Sequence, residues 1–361
     1  MMISANIPAL ANARRSNTLW TRLCSMLFAL LLLASVGEGH AAGSACPKMP
    51  QMSPEMGIIS RYYGPSVDAT FSTMNPKAVA EQKPVRTRIG GPVVALNRLA
   101  AQYAEAESGE RAQVGECITN LVHEMARTDY LGEPRSREDR YFRDWLMVAV
   151  LANLLGLDEA QLAGVLDSPT RAWIKQAADA SDAFFQSQPV DNHYYWSGLS
   201  LVLSAAVLKD RSIEEAGQRV LSRGLAQVTQ QGLLPAEVAR GKRATHYHLF
   251  AAIPLAAMQQ VAGNSEQVAT LSRLTRTLLL DLRDGTGGPI AKVAGPQLPS
   301  ESLPGLPLLA NYLSNDPELR DAYQAIIAKQ SDHFFFLGGS VKRFESALER
   351  SRQRLRPREG G

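Results

Sequence analysis

Apolar residues recur at steps of three and four positions along most of the chain after Pro92. The segments "VVALNRLAAQYAEAE", "RYFRDWLMVAVLANLLGL" and "SEQVATLSRLTRTLLLDLRDG" show this period, which is typical of amphipathic helices. Boundary residues agree with the pattern, because Ser168-Pro169 and Asp316-Pro317 open helices and Gly232 follows one. No segment shows a convincing alternation typical of a strand. The pattern therefore predicts an all-α protein of about ten helices.

Antiparallel helix pairs are the expected arrangement, but a flat bundle of so many helices cannot bury every apolar stripe. Pairs that curl into a ring can bury them. Strict sequence repeats are absent, so a helical toroid is favoured over a regular solenoid. The sequence of residues 283–302 predicts a long flexible loop, and loops of this length often border a functional site.

The first part of the chain differs from the rest. Residues 1–42 hold three arginines and the apolar run Met26–Gly37, then small residues, as in an export signal. The run is too short for a permanent membrane anchor. We therefore expect an export signal over 1–42, an arm and lid loop over 43–90, a toroid over 91–350 and a disordered tail over 351–361. The mature protein is expected in the periplasm.

Charge and cysteine content narrow the class of protein. The net charge of +3 falls towards neutrality once residues 1–42 are removed, so the basic balance does not indicate nucleic-acid binding. Two of the three cysteines remain, Cys46 and Cys117. In an oxidising compartment they could form a disulfide or stay as two free thiols. We expect a monomer.

The segment Asp191-Asn192-His193 stands just ahead of an apolar helix. Asp191 or Asn192 fits a helix cap, which is the ordinary role for such residues. The same place also suits a carboxylate ligand, because a helix N-terminus offers free N–H groups. Asn192 adds an amide donor, and His193 adds a base that titrates near neutral pH.

A second cluster of polar residues lies in "LLPAEVARGKRATHYHLFAA" (residues 233–252). Arg240 and Tyr247 are seven residues apart and share a face where the segment is helical, although Gly241 interrupts the pattern. His246 and His248 are two apart and so are poor joint metal ligands. No nucleophile elbow and no glycine-rich phosphate loop occurs, and we expect no metal and no cofactor.

Together these two segments resemble polysaccharide lyase family 5, the alginate lyases. "DNHYYW" is similar to the family's Asn-Asn-His-x-Tyr-Trp motif, and "GLLPAEVARGKRATHYH" is similar to its Gly-Phe-Leu-Pro-Asn-Glu-Leu segment and the continuation Arg-Ala-x-x-Tyr-His. The spacing between the motifs also matches. The likeness extends over about residues 58–343 and is strongest towards broad-specificity polyuronate lyases, which accept alginate, polyglucuronate and hyaluronate. It implies an incomplete (α/α) toroid.

The resemblance also assigns residues. Its catalytic positions fall on Asn192, His193, Arg240 and Tyr247. Its substrate-binding positions fall on Arg61, Tyr62, Trp196, Glu237, His246 and Arg343. Phe336 stands where many members have an arginine, which weakens one expected contact with a substrate carboxylate.

The implied reaction is metal-free β-elimination on an anionic polysaccharide. Asn192, helped by Arg240 or His193, would neutralise the C6 carboxylate, and a base would take the C5 proton. Tyr247 would protonate O4 and, for mannuronate, act as base as well, whereas His193 would be the base for the opposite C5 configuration.

Two alternative functions stay open. One is an inverting hydrolase that uses Glu237 and Asp191, and the other is a binding protein with Tyr194, Tyr195 and Trp196 as stacking platforms.

Overall fold

The computed structural model describes residues 46–58, 74–299, 304–313 and 316–356. Within these ranges it contains helices and a single isolated bridge between Glu55 and Glu133, and no strand, so the predicted all-α class is confirmed. The chain divides into Met1–Pro47 and Lys48–Gly361, and every described helix belongs to the second unit. The predicted export signal and the lid residues Arg61 and Tyr62 lie outside the described residues.

Thirteen α-helices are numbered here in chain order across the described residues. They are α1 Pro76–Glu105, α2 Ser108–Arg127, α3 Arg137–Leu155, α4 Glu159–Val165, α5 Ser168–Phe185, α6 Asn192–Leu208, α7 Arg211–Leu225, α8 Pro235–Val238, α9 Ala244–Ala262, α10 Glu266–Asp284, α11 Pro289–Ala294, α12 Pro317–Ile327 and α13 Val341–Leu355. Short 3-10 turns occur at Gly241–Arg243, Gly285–Gly287, Leu306–Tyr312 and Phe335–Leu337.

Three helices form the inner layer of the ring. Helices α3, α6 and α9 are buried on nearly all sides, and α6 packs against both of the others. Helices α5, α7 and α10 bury one stripe each and cover them from outside. Gly198 permits the close approach of α6 and α7, because a Cβ there would lie 2.3 Å from Cγ1 of Val220.

Local signals explain where the inner helices begin. Ser136 and Asp139 form a capping box at the start of α3. Asp191 caps α6, which agrees with the sequence interpretation. Arg243, which precedes α9, makes no capping hydrogen bond through its side chain. The amide of Gln297 does this instead, since its Oε1 accepts from Thr245 N at 2.9 Å.

Three boundary predictions were wrong. Helix α1 begins at Pro76, inside the predicted arm, and runs through Pro84 and Pro92. The sequence pattern predicts helices only from Pro92 onward, because residues 43–90 show no sustained apolar period. Helix α13 continues to Leu355, inside the predicted tail. The predicted loop 283–302 contains the turn Gly285–Gly287 and helix α11, because Asp281 accepts from Ile290 N and Ala291 N at 2.9 Å.

Both cysteines of the described residues take part in disulfide bonding. Cys46 and Cys117 are each disulfide-bonded, and Cys117 is buried in α2. Among the described residues, no helix has the length and apolar content that crossing a membrane requires.

Candidate active site

The N-terminus of α6 supplies two of the expected catalytic residues. Asp191 Oδ1 accepts from His193 N at 3.0 Å and from Tyr194 N at 3.4 Å. The backbone N–H of Asn192 donates to Glu237 at 2.8 Å. These three N–H groups are therefore occupied by side chains of the protein, and binding of a ligand carboxylate at this helix N-terminus stays a prediction.

Glu237 lies beneath Asn192 and is fully buried. Its two carboxylate oxygens accept from Asn192 Nδ2 at 3.1 and 3.3 Å, so a single residue fixes both the backbone and the side chain of Asn192. Burial, and next the charge of Asp191, raise the pKa of Glu237 to about 7, against the opposing effect of Arg240.

Arg240 joins the two sequence clusters. Its Nη2 lies 3.8 Å from Asp191 Oδ2, and its Nε lies 3.8 Å from Glu237 Oε2. Its Cζ lies 4.8 Å from the centre of the Tyr247 ring. The intervening turn Gly241–Arg243 requires a positive φ of 54° at Gly241, which turns the chain between the two side chains.

The 295–299 segment holds this turn in place. Gln297 Nε2 donates to Gly241 O at 3.0 Å, and Leu298 N donates to Lys242 O at 2.7 Å. His248 fixes the other side, because its Nδ1 lies 2.8 Å from Ala244 O and its Nε2 accepts from Leu234 N at 3.0 Å. Burial lowers the pKa of His248 to about 4, so this ring is a neutral structural support.

The imidazole of His193 lies in an aromatic stack. Its centre is 3.8 Å from that of Tyr141, with 8° between the planes, and 5.5 Å from that of Trp145, with 16° between the planes. Burial of the imidazole among these rings removes it from water and lowers the pKa of His193 to about 4. The positive charges of Arg240 and Arg137 lower this pKa further, by smaller amounts. Its Nδ1 is buried without a hydrogen-bond partner. The ring is therefore neutral at pH 7 and able to accept a proton.

His246 forms part of the opposite wall. Its ring lies parallel to that of Phe250, 6.4 Å between centres, and meets Tyr247 edge-on at 5.4 Å. Burial, assisted by Arg243, lowers the pKa of His246 to about 4.

A cleft of about 460 Å³ lies between the start of α6 and the start of α9. It is lined by residues of both segments, among them His193 and Tyr247. Among the described residues, its charged side chains are four arginines against two carboxylates. They are Arg86, Arg137, Arg240 and Arg243, with Glu138 and Asp191. Such a balance suits a polyanion, since guanidinium groups bind carboxylates with directed hydrogen bonds.

The cleft brings together five of the eight predicted site residues that the structure describes. Asn192, His193, Arg240, His246 and Tyr247 line it. Asn192 has no exposed surface, so it forms the floor. Within the described residues, no three His, Cys, Asp or Glu side chains group in a way that could hold a metal ion.

Three of the predicted substrate-binding residues make other contacts among the described residues, and their role in binding substrate stays a prediction. Trp196 is fully buried, and its Nε1 donates to Phe250 O at 2.9 Å inside the core. Glu237 is buried beneath Asn192 and presents no surface to a ligand. Arg343 donates from Nη2 to Gly338 O at 2.9 Å and does not line the cleft.

The two alternative functions lose their proposed residues. Tyr194 and Tyr195 are buried like Trp196, so they cannot serve as stacking platforms. Of the two carboxylates expected in a hydrolase, Glu237 is committed to Asn192 and Asp191 to the cap of α6.

Sequence reasoning missed the wall contributed by α3. Arg137, Tyr141 and Trp145 stand at i, i+4 and i+8, so they share one helical face, and the Arg137 guanidinium donates to the Tyr141 hydroxyl. That spacing of a cation and two aromatics was the available signal. Phe336 packs against Trp145 at 5.3 Å between ring centres and supports this wall from behind.

Comparison with known proteins agrees with this fold. A family model described as alginate lyase matches residues 136–278. A polysaccharide lyase of Stenotrophomonas maltophilia is 28% identical over 247 residues, which are 66% of this chain and 71% of the relative. An alginate lyase of Pseudomonas aeruginosa is 25% identical over 272 residues, 70% of this chain and 71% of the relative.

Solved structures share the fold. A variant of alginate lyase A1-III in complex with a tetrasaccharide aligns with a TM-score of 0.62 at 16% identity, covering 87% of this chain and 89% of that chain. Alginate lyase A1-III from Sphingomonas species A1 aligns with a TM-score of 0.56 at 17% identity, covering 87% and 92%. The predicted (α/α) toroid is thereby confirmed.

The fold is that of the helical-toroid polysaccharide lyases. Over residues 136–278 the chain is similar to the alginate lyase family, and its curated relatives are named as polysaccharide and alginate lyases.

Proposed function

We propose that the protein cleaves the 4-O-glycosidic bonds of polyuronates by β-elimination in this cleft. The observation that carries the proposal is the meeting of Arg240, Tyr247 and a neutral His193 in a cleft with an excess of guanidinium groups. Alginate rich in mannuronate is the proposed substrate, with polyglucuronate and hyaluronate as further candidates. A relative and several fold neighbours are named as lyases of this kind, which supports the substrate class.

The first task of the reaction is to make the C5 proton acidic. The negative C6 carboxylate opposes loss of this proton, so positive charge or hydrogen-bond donors must compensate. Arg240 provides the charge at the cleft wall, and the amide of Asn192 provides a donor at the floor.

The second task is proton transfer. The base takes the C5 proton, the C5–H electron pair forms the C4=C5 double bond, and the C4–O4 bond breaks as O4 accepts a proton. For mannuronate, where the proton and O4 lie on the same face, Tyr247 serves as base in its phenolate form and then as acid. For the opposite C5 configuration, the neutral His193 is the base and Tyr247 is the acid. Each step has a side chain to perform it, so the proposed mechanism does not need a metal.

The assignment of Tyr247 as the acid predicts different effects for two tyrosine-to-phenylalanine variants, one inside the cleft and one outside it. Tyr247→Phe keeps the ring beside Arg240 but removes the proton, so we expect turnover to fall by about 10³-fold or more. Binding of a mannuronate tetrasaccharide should change little. Tyr323→Phe, a matched change in α12 away from the cleft, should keep wild-type turnover. Turnover near the wild-type level in Tyr247→Phe contradicts the assigned acid.

A further inference from the structure

The Asn192–Glu237 contact places a catalytic amide in an unusual state. Glu237 Oε1 and Oε2 accept from Asn192 Nδ2, and Oε1 also accepts from Asn192 N. Asn192 Oδ1 is buried without a hydrogen-bond partner. A buried acceptor without a hydrogen-bond partner is unfavourable, so this arrangement needs the charged carboxylate to hold it.

An ionised carboxylate can only accept hydrogen bonds, and it therefore draws the Asn192 amide away from the cleft. A protonated Glu237 has a hydroxyl that can donate. It could then satisfy Asn192 Oδ1, while Nδ2 turns towards a ligand in the cleft above. The two protonation states of Glu237 thus correspond to two directions of the amide.

The charged and titratable groups around Glu237 favour proton uptake at this residue. Asp191 faces it from the start of α6, and the buried phenol of Tyr195 faces it from the same helix. Arg240 is the opposing cation, 3.8 Å away. His248 of α9 supports the neighbouring Leu234 and is neutral. Burial and Asp191 raise the pKa of Glu237 to about 7, which leaves this carboxyl ready to respond to one more negative charge.

We propose that Glu237 is a positioning residue that takes up a proton when a uronate binds and thereby releases the Asn192 amide towards the substrate carboxylate. The inference rests on the polyuronate lyase function proposed above. An arriving carboxylate brings negative charge to a site where Glu237 and Asp191 are already close together. Protonating the buried, non-reacting Glu237 removes the repulsion and supplies a donor where the substrate needs one.

Proton linkage gives this proposal a measurable size. If binding requires one proton on a group with a pKa of about 7, the dissociation constant rises about tenfold for each pH unit above 7. At pH 8 the complex should take up about 0.9 proton. Glu237→Gln mimics the protonated state, because its amide can both accept from Asn192 N and donate to Asn192 Oδ1.

The experiment uses the Tyr247→Phe protein, which retains bound substrate and lacks the competing phenol. Titration calorimetry with a mannuronate tetrasaccharide, in buffers of different ionisation enthalpy at pH 6 to 9, measures affinity and proton uptake together. We expect the uptake and the pH dependence in Tyr247→Phe, and neither of them in Tyr247→Phe/Glu237→Gln. Glu138→Gln is the matched control, because this carboxylate also lines the cleft but does not contact Asn192. It should change affinity equally at each pH and keep the proton uptake.

A second readout separates positioning from simple folding. In the otherwise wild-type chain, Glu237→Gln should remove the pH dependence of KM above pH 7 while the protein remains folded by circular dichroism. Tight binding without proton uptake in Tyr247→Phe overturns the role of Glu237 and leaves the lyase proposal standing. Uptake that persists unchanged after Glu237→Gln overturns it as well. No binding at any pH overturns both proposals.

Discussion

The aromatic stack around His193 sets the pH range in which this residue can act as a base. The Tyr141 ring covers one face at 3.8 Å, and Trp145 is parallel at 5.5 Å. A pKa lowered from 6.5 to about 4, chiefly by desolvation, corresponds to ~3 kcal/mol against the charged imidazolium. Tyr141→Ala removes the ring that covers one face of His193 and exposes that face to water.

Water on that face should return part of the lost solvation of the imidazolium. If half of the ~3 kcal/mol is recovered, the acid limb of kcat/KM moves upward by about one pH unit. Trp145→Ala should move it in the same direction, and the double variant should move it further. The substrate for this assay is one whose C5 configuration requires His193, namely alginate rich in guluronate, the C5 epimer of mannuronate.

Tyr141→Phe is the matched control. It keeps the ring over His193 and removes only the hydroxyl that accepts from Arg137. The acid limb should therefore stay within a few tenths of a pH unit of the wild-type position. Rates are followed by the ultraviolet absorbance of the unsaturated product, and the His193 titration is followed directly by NMR of the labelled ring. An unmoved His193 titration in a folded Tyr141→Ala protein refutes the desolvation argument.

Three further predictions concern charge. Arg240→Ala should move the alkaline limb of the kcat profile upward by about one pH unit or more, because a cation 4.8 Å from the centre of the Tyr247 ring favours the phenolate. Arg243→Ala, which removes a cation at 5.9 Å, should have the smaller effect. Equal shifts in the two variants would contradict the pairing of Arg240 with Tyr247. Treatment with EDTA should leave turnover unchanged, because Asn192, Arg240, His193 and Tyr247 cover each step; loss of activity that Ca²⁺ restores would refute this. The free energy of unfolding should fall between pH 6.5 and pH 4, because burial holds the pKa of His193, His246 and His248 near 4 and the unfolded chain binds these protons first. Glu237 opposes this trend, since the folded state keeps its proton up to about pH 7, so a rising stability on acidification would show that Glu237 outweighs the histidines.

The fold was accessible from the sequence because helical periodicity and caps are local signals. Asp191 and the segments of α3, α6 and α10 were recognisable in this way. The start of α1 was not, because a helix that continues through Pro84 and Pro92 depends on burial of its later turns, which include Ile89 and Leu96.

The site was predictable where two motifs specified it and unpredictable where burial decided. Trp196 and Trp145 both follow aromatic residues in apolar helices, yet only Trp145 reaches the cleft. Helices α3 and α6 are buried on nearly all sides, so apolar periodicity does not show which of their side chains face a ligand. Glu237 illustrates the same limit, because its contact with Asn192 joins residues 45 positions apart.

The chemistry of the cut ends tests the central claim most directly. Wild-type protein is incubated with mannuronate-rich alginate and with polyglucuronate in oxygen-labelled water, and the products are examined by ultraviolet absorbance and mass spectrometry. The β-elimination proposed for Tyr247 and His193 predicts non-reducing ends with a C4=C5 double bond and no label fixed by bond cleavage. Saturated non-reducing ends, with oxygen from the labelled water at C1 of the new reducing ends, would instead identify a hydrolase and contradict the account.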